Sequence, residues 1–108
     1  MTGGATRLAI RREDTAEVCL LHLDGPVDRL TSDALRAELN ALAASGPKTT
    51  QVSFAGVPIL DSSGIGILIT AKKSFAANGR YLILRDLSPR IAEVLKLLRL
   101  YDLLVVDL

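Results

Sequence analysis

Hydrophobic and polar residues alternate with a period that changes several times along the chain, and each change predicts a new element. Two short apolar runs, Arg7 to Arg12 and Val18 to Leu23, flank the polar segment Glu13 to Glu17 and predict an opening β-hairpin. Beyond Gly25 and Pro26 the spacing of the leucines becomes helical. The chain therefore begins with two strands and continues into a helix.

The first helix has clear start and stop signals. Thr31 or Ser32 is suited to cap its N-terminus, and Gly46 followed by Pro47 ends it. The alternating segment Thr50 to Ala55 then predicts a third strand. Strand, helix and strand thus follow one another with short links.

The second half of the chain continues this alternation. The first two predicted elements are a helix that follows Ser62 and Ser63 and stops at Asn78-Gly79, and an interior strand Tyr81 to Leu84 covered by helices on either or both sides. A helix opened by Ser88-Pro89 and a last strand Leu103 to Leu108 follow. The order ββαβαβαβ predicts an α/β fold, with helices packed against a mixed β-sheet. We expect one domain over residues 1–108, with residues 1–5 disordered.

Composition narrows the classes of function. The 108 residues are 49% hydrophobic, which is enough for one buried core. The net charge of +1 is scattered along the chain, and there are two Phe, two Tyr and no Trp, so neither direct nucleic-acid binding nor a polybasic membrane patch is expected. We see no signal peptide and no apolar run of membrane-spanning length, which predicts a cytoplasmic protein.

A single cysteine and a single histidine restrict the available chemistry. Cys19 lies in an apolar run and is expected to be a small core residue, with a reactive thiol as the alternative. His22 is expected to be a structural residue on a strand. No disulfide framework, zinc cluster or serine-histidine triad can be assembled from these residues.

The segment Leu60 to Gly66 (LDSSGIG) is the most informative part of the chain. It places hydroxyls and glycines where a strand leads into a helix, so free N–H groups at the helix start favour an anion such as a phosphate on Ser62. The alternative is an ordinary N-cap with glycines that permit close packing of helix and strand. The local pattern is compatible with both interpretations.

Catalytic interpretations of the same segment have less support. It has neither the lysine and spacing of a P-loop nor a dinucleotide-binding fingerprint. Asp24, Asp28 and Asp61 are able to bind Mg²⁺, but scattered acids near turns are more typical of caps. We therefore expect no catalytic residue, no metal and no cofactor.

The motif resembles a known family. Asp61-Ser62-Ser63-Gly64-Ile65-Gly66, preceded by Ile59-Leu60, is similar to the D-S-S-G-[LI]-G signature of bacterial anti-sigma-factor antagonists in the STAS domain family. Leu23 to Asp28 resembles the family's L-x-G-x-[LIV]-D, and the Ser88-Pro89 helix followed by Leu100 to Val106 resembles its last helix and strand. Val57-Pro58 departs from the usual pattern and is expected to stiffen the approach to the motif.

This resemblance implies a partner-switching regulator of transcription, which is not an enzyme. The unphosphorylated form would bind an anti-sigma factor that is also an ATP-binding serine kinase, and so free the sigma factor. Phosphorylation of Ser62 by that kinase would end binding, and a phosphatase would restore it. The residues implied for the contact surface are Gly25, Asp28, Asp61, Ser62, Ser63, Gly64 and Gly66.

Two other functions remain open from the sequence. A STAS-type accessory or scaffold subunit of a transporter or signalling assembly would dock a partner without phosphorylation of Ser62. A nucleotide-binding enzyme is the third possibility. Gly64 bears on the first of the three functions, because a glycine in the first helical turn would let a partner approach the hydroxyl closely.

Overall fold

Strands and helices alternate along most of the chain. The elements are β1 (Ala9–Asp14), β2 (Val18–Asp24), α1 (Ser32–Ser45), β3 (Thr49–Gly56), α2 (Ser62–Ala77), β4 (Tyr81–Arg85), α3 (Pro89–Leu97) and α4 (Tyr101–Leu104). They are seen in a computed structural model that describes residues 8–105. The disorder expected for residues 1–5 lies outside this range.

The described strands form one mixed sheet in the order β1-β2-β3-β4. β1 and β2 are antiparallel, whereas β2, β3 and β4 run parallel, with Leu21 opposite Val52 and Val52 opposite Leu84. The predicted hairpin, the α/β class and the mixed sheet are therefore confirmed. Helices cross between the parallel strands, as short links of this kind require.

One face of the sheet carries the core. Its buried side chains are Cys19, Leu21, Leu23, Thr50, Val52, Phe54, Leu82 and Leu84, and they pack with leucines, isoleucines and Phe75 from the helices. The opposite face is more accessible and mixed in character, with Leu20, His22, Gln51 and Ile83 half-buried and Arg85 exposed. The helices thus shield one side of the sheet.

The predicted last strand, Leu103 to Leu108, is wrong in its described part. Leu103 and Leu104 belong to α4, and Leu104 is buried in the core. Arg99 has a φ of 61°, and the Leu100 N–H donates to the Leu95 carbonyl, so the chain turns and enters a second short helix. A short apolar run fits a strand or a buried helical turn equally well, and here Leu104 is buried from a helical turn. Residues 106–108 lie outside the described range.

Loss of this strand also changes the position of β4. The sequence predicted an interior strand at Tyr81 to Leu84, but β4 lies at the edge of the described sheet. Its apolar residues Leu82 and Leu84 face the helices, and Ile83 lies half-buried on the other face. The apolar run Tyr81 to Leu84 therefore did not show that β4 has a neighbouring strand on both sides.

Cys19 and His22 have the structural roles expected of them. Cys19 is fully buried, and burial, reinforced by a hydrogen bond with Asp14, raises the pKa of its thiol to about 11, which makes it a poor nucleophile. His22 lies on the accessible sheet face, where its Nε2 pairs with the carboxylate of Glu13 on β1. No helix among residues 8–105 has the length and apolar character needed to cross a membrane.

Close packing of Gly64 sets the position of α2. A Cβ atom on Gly64 would lie 2.6 Å from Val27 Cγ1 and 2.7 Å from Leu60 Cδ1, both well inside van der Waals contact. Gly66, two residues on, has nothing within 4 Å of the same position. Close packing therefore requires a glycine at position 64 but not at position 66.

We predict that Gly64→Ala and Gly66→Ala change stability in opposite directions. Overpacking a buried position costs about 1–3 kcal/mol, and alanine recovers at most about 1 kcal/mol of helix propensity, so Gly64→Ala should lower the free energy of unfolding by about 1–2 kcal/mol. Gly66→Ala meets no obstacle and should raise it by about 0.5–1 kcal/mol. Urea denaturation of both variants tests this; equal effects would show that α2 does not pack as described.

Candidate functional site

Two loops that the sequence singled out lie side by side. Beyond the ends of β2 and β3, the Val27 N–H donates to the Ile59 carbonyl at 2.8 Å and the Asp61 N–H donates to the Val27 carbonyl at 3.1 Å. Val27 and Leu60 thereby form an isolated parallel bridge. The turn after β2 and the motif before α2 are therefore held as one unit.

The first of these loops is fixed by its own polar side chains. The Thr31 hydroxyl donates to the Pro26 carbonyl at 2.8 Å and accepts from the Asp28 N–H at 3.0 Å. Asp28 Oδ1 accepts from the Leu30 N–H at 2.9 Å and more weakly from the Thr31 N–H at 3.2 Å. Thr31 precedes α1 without capping it through its side chain, because its hydroxyl is committed to the turn.

The second loop ends in a capped helix. Asp61 is the N-cap of α2, and its Oδ1 accepts from the Gly64 N–H at 3.1 Å. Ser62 is the first residue of α2; it is exposed, and its hydroxyl makes no hydrogen bond to any residue between 8 and 105. The N-cap interpretation thus holds for Asp61, while Ser62 keeps an accessible hydroxyl.

Ser62 and Ser63 lie on a ridge between two hollows. The first hollow, which we call the α1–α2 groove, has a volume of about 410 Å³ and is lined by Arg36, Leu39, Asn40, Ser62, Ser63, Gly66, Ile67, Thr70 and Ala71. The second, which we call the loop hollow, has a volume of about 420 Å³ and is lined by Asp28, Arg29, Leu30, Asp61, Ser62 and Ser63. Ser62 lines both hollows, so a group added to its hydroxyl would have one on either side.

The two hollows differ in charge. Two carboxylates, Asp28 and Asp61, line the loop hollow together with one cation, Arg29. The α1–α2 groove is lined by one cation, Arg36, and by no acid. Within residues 8–105, no three His, Cys, Asp or Glu side chains lie close enough together to hold a metal ion.

The glycines expected at the contact surface are placed differently from one another. Gly25, with a φ of 125°, begins the turn after β2, and Gly66 is exposed on the wall of the α1–α2 groove. Gly64 is buried, and a methyl group there would meet Val27 and Leu60, so the chain's own side chains fill the space beside this glycine. Its effect on the surface is through the position of α2.

Sequence reasoning missed several residues around Ser62. Leu30 lines the loop hollow and is 85% exposed, and Ile59, close to the motif, is 56% exposed. Arg29, Arg36 and Asn40 line the two hollows. Leu30 and Ile59 are apolar residues in a predicted loop and so gave a weak signal, whereas Arg36 and Asn40 on a helix gave none.

Comparisons with solved structures agree on the fold. The anti-sigma factor antagonist SpoIIAA in its unphosphorylated form matches with a TM-score of 0.75 and 24% identity, over 90% of this chain and 86% of that one. The Bacillus cell fate determinant SpoIIAA in the phosphorylated form matches at 0.70 and 26%, over 85% of each chain. The murine anion transporter Slc26a9 matches at 0.66 and 18%, over 78% of this chain and 14% of that one.

The family model covers almost the whole chain. The model of the STAS domain matches residues 9–108, which include the sheet, α1, α2, α3 and the motif that begins α2. The chain is a member of the STAS domain family.

Proposed function

We propose that this protein is a phosphorylation-regulated anti-sigma factor antagonist of a bacterial cell. In its unphosphorylated form it binds an anti-sigma factor that is also a serine kinase and thereby frees a sigma factor in the cytoplasm. The kinase transfers the γ-phosphoryl group of ATP to Ser62 Oγ: a bond forms between Oγ and the γ-phosphorus, the bond from that phosphorus to ADP breaks, and the hydroxyl proton passes to a base of the kinase. A phosphatase hydrolyses the ester and restores binding. In this proposal the protein itself has no catalytic role.

The exposed and unbonded hydroxyl of Ser62 carries this proposal. It stands at the start of α2 on a ridge, where a kinase can reach it without unfolding the chain. Leu30 and Ile59 offer apolar surface beside it, and exposed apolar residues next to a polar site are typical of protein interfaces. SpoIIAA, whose structures are described in unphosphorylated and phosphorylated forms, has the same fold.

The charge around Ser62 explains how a phosphate would act as a switch. A phosphoserine adds about 1.5 to 2 negative charges at neutral pH. Asp28 and Asp61 already line the loop hollow, so a partner surface that fits two carboxylates would meet a much more negative one. Because Ser62 makes no hydrogen bond within residues 8–105, the phosphate would change the interface and leave the fold intact.

A second function is supported by the likeness to the murine anion transporter Slc26a9. In this alternative the chain is an accessory or scaffold subunit and Ser62 is never modified. Isolation of the partner from the source cells, with the wild-type chain as bait, separates the two functions. An ATP-binding serine kinase supports the antagonist, whereas a permease subunit would replace it with the accessory role.

We predict that Ser62 is the phosphate acceptor. Incubation with the copurified kinase and ATP should phosphorylate the wild type and Ser63→Ala, and should leave Ser62→Ala unmodified. Mass spectrometry of the peptide from Asp61 to Lys72 reads the site directly. Ser62→Ala should change the free energy of unfolding by less than about 0.5 kcal/mol, since it is an exposed position without a hydrogen bond to the described residues. A phosphate on Ser63 in Ser62→Ala at the wild-type rate would disprove the assignment.

We predict that negative charge at position 62, more than size, ends binding. Ser62→Asp should weaken binding of the kinase at least about tenfold, since an uncompensated charge buried at an interface costs about 2–5 kcal/mol. Ser62→Asn, which has nearly the same shape and no charge, should weaken it much less. Calorimetric titration of both variants measures the difference. Equal losses of affinity for the two variants would show that the kinase responds to the shape of the side chain and not to its charge. Unchanged affinities would show that Ser62 is not in the interface.

A further inference from the structure

A phosphate on Ser62 needs partners, and the start of α2 offers few. The carboxylate of Asp61 already occupies the N-terminal end of this helix by accepting from the Gly64 N–H at 3.1 Å. A second anion there would be repelled by the first. The protein groups that lie beside Ser62 and could bind the phosphate are therefore those that line the two hollows.

Electrostatics separates the two hollows. In the loop hollow a dianion would lie near Asp28 and Asp61, with Arg29 the single cation on the lining. In the α1–α2 groove it would meet Arg36 and the side-chain amide of Asn40, with no carboxylate on the lining. The groove is therefore the favourable direction for the phosphate.

Arg36 is able to change partners. Its Nη1 lies 2.8 Å from Asp33 Oδ1, one turn earlier on α1, and the side chains of Arg36 and Asp33 are 56% and 84% exposed. An ion pair this exposed contributes little to stability. A phosphate dianion carries more charge than a carboxylate and matches the planar guanidinium, so it competes well for the same donors.

We infer that the phosphate of phosphorylated Ser62 lies in the α1–α2 groove and is bound by Arg36, which gives up Asp33 to do so. This inference rests on the proposed function. Phosphorylation then joins α2 to α1 through a new charged hydrogen bond and releases the Asp33 carboxylate to solvent. Arg29, on the other side of the ridge, takes no part.

The test uses phosphoserine placed at position 62 by genetic encoding, so it does not depend on any kinase. The probe is the second pKa of the phosphoserine, about 6 in the absence of partners, measured by ³¹P NMR titration of the full chain at low salt. We expect this pKa to be at least about 0.5 lower in the wild type than in Arg36→Gln, because a neighbouring cation favours the dianion. Arg29→Gln should stay close to the wild type, and Arg36→Lys should lie between.

A second measurement separates a direct contact from a general effect of charge. In ¹⁵N spectra the Arg36 Nε–H signal should move when phosphoserine replaces Ser62, while the Arg29 signal should not. Asp33→Asn removes the competing carboxylate and should lower the phosphate pKa further.

Identical titrations of the wild type and Arg36→Gln would overturn the inference. A larger effect of Arg29→Gln than of Arg36→Gln would overturn it too, by placing the phosphate in the loop hollow. Neither result touches the proposed function, which fails instead if the copurified kinase does not modify Ser62.

Discussion

The site depends on the contact between two loops where β2 and β3 end. The hydrogen bonds from Val27 to Ile59 and from Asp61 to Val27 continue the parallel pairing of these strands past the sheet. Gly64 then packs on Val27 and Leu60 with no room for a side chain, which fixes the first turn of α2. Without these contacts Ser62 would have no defined place relative to α1.

The side chains that fix the two loops are different from the side chain that is exposed to a partner. The side chains of Thr31, Asp28 and Asp61 form hydrogen bonds with backbone N–H groups and so fix the conformation of the two loops. Ser62 is left exposed, with no hydrogen bond to the described residues. A phosphate at this exposed position would add charge to the surface, as the proposed switch requires.

Much of this could be predicted from local pattern. Capping signals placed the starts of α2 and α3, since the Asp61 and Ser88 side chains accept from backbone N–H groups three residues on. The strand predicted at Leu103 to Leu108 failed because a short apolar run fits a strand or a buried helical turn equally well. Arg36 as a neighbour of Ser62 could not be predicted, since no local signal relates two residues on different helices.

The sequence by itself determined the order of the elements, the mixed sheet and the position of a hydroxyl at the start of a helix, because periodicity and caps act between residues close in the chain. Only the tertiary structure decided that Gly64 is a packing residue and that β4 lies at the edge of the described sheet. It also decided that Asp28 and Asp61 line the hollow on one side of Ser62, while Arg36 lines the groove on the other. These properties depend on contacts between segments far apart in the chain, and such contacts form only when the sheet and helices pack.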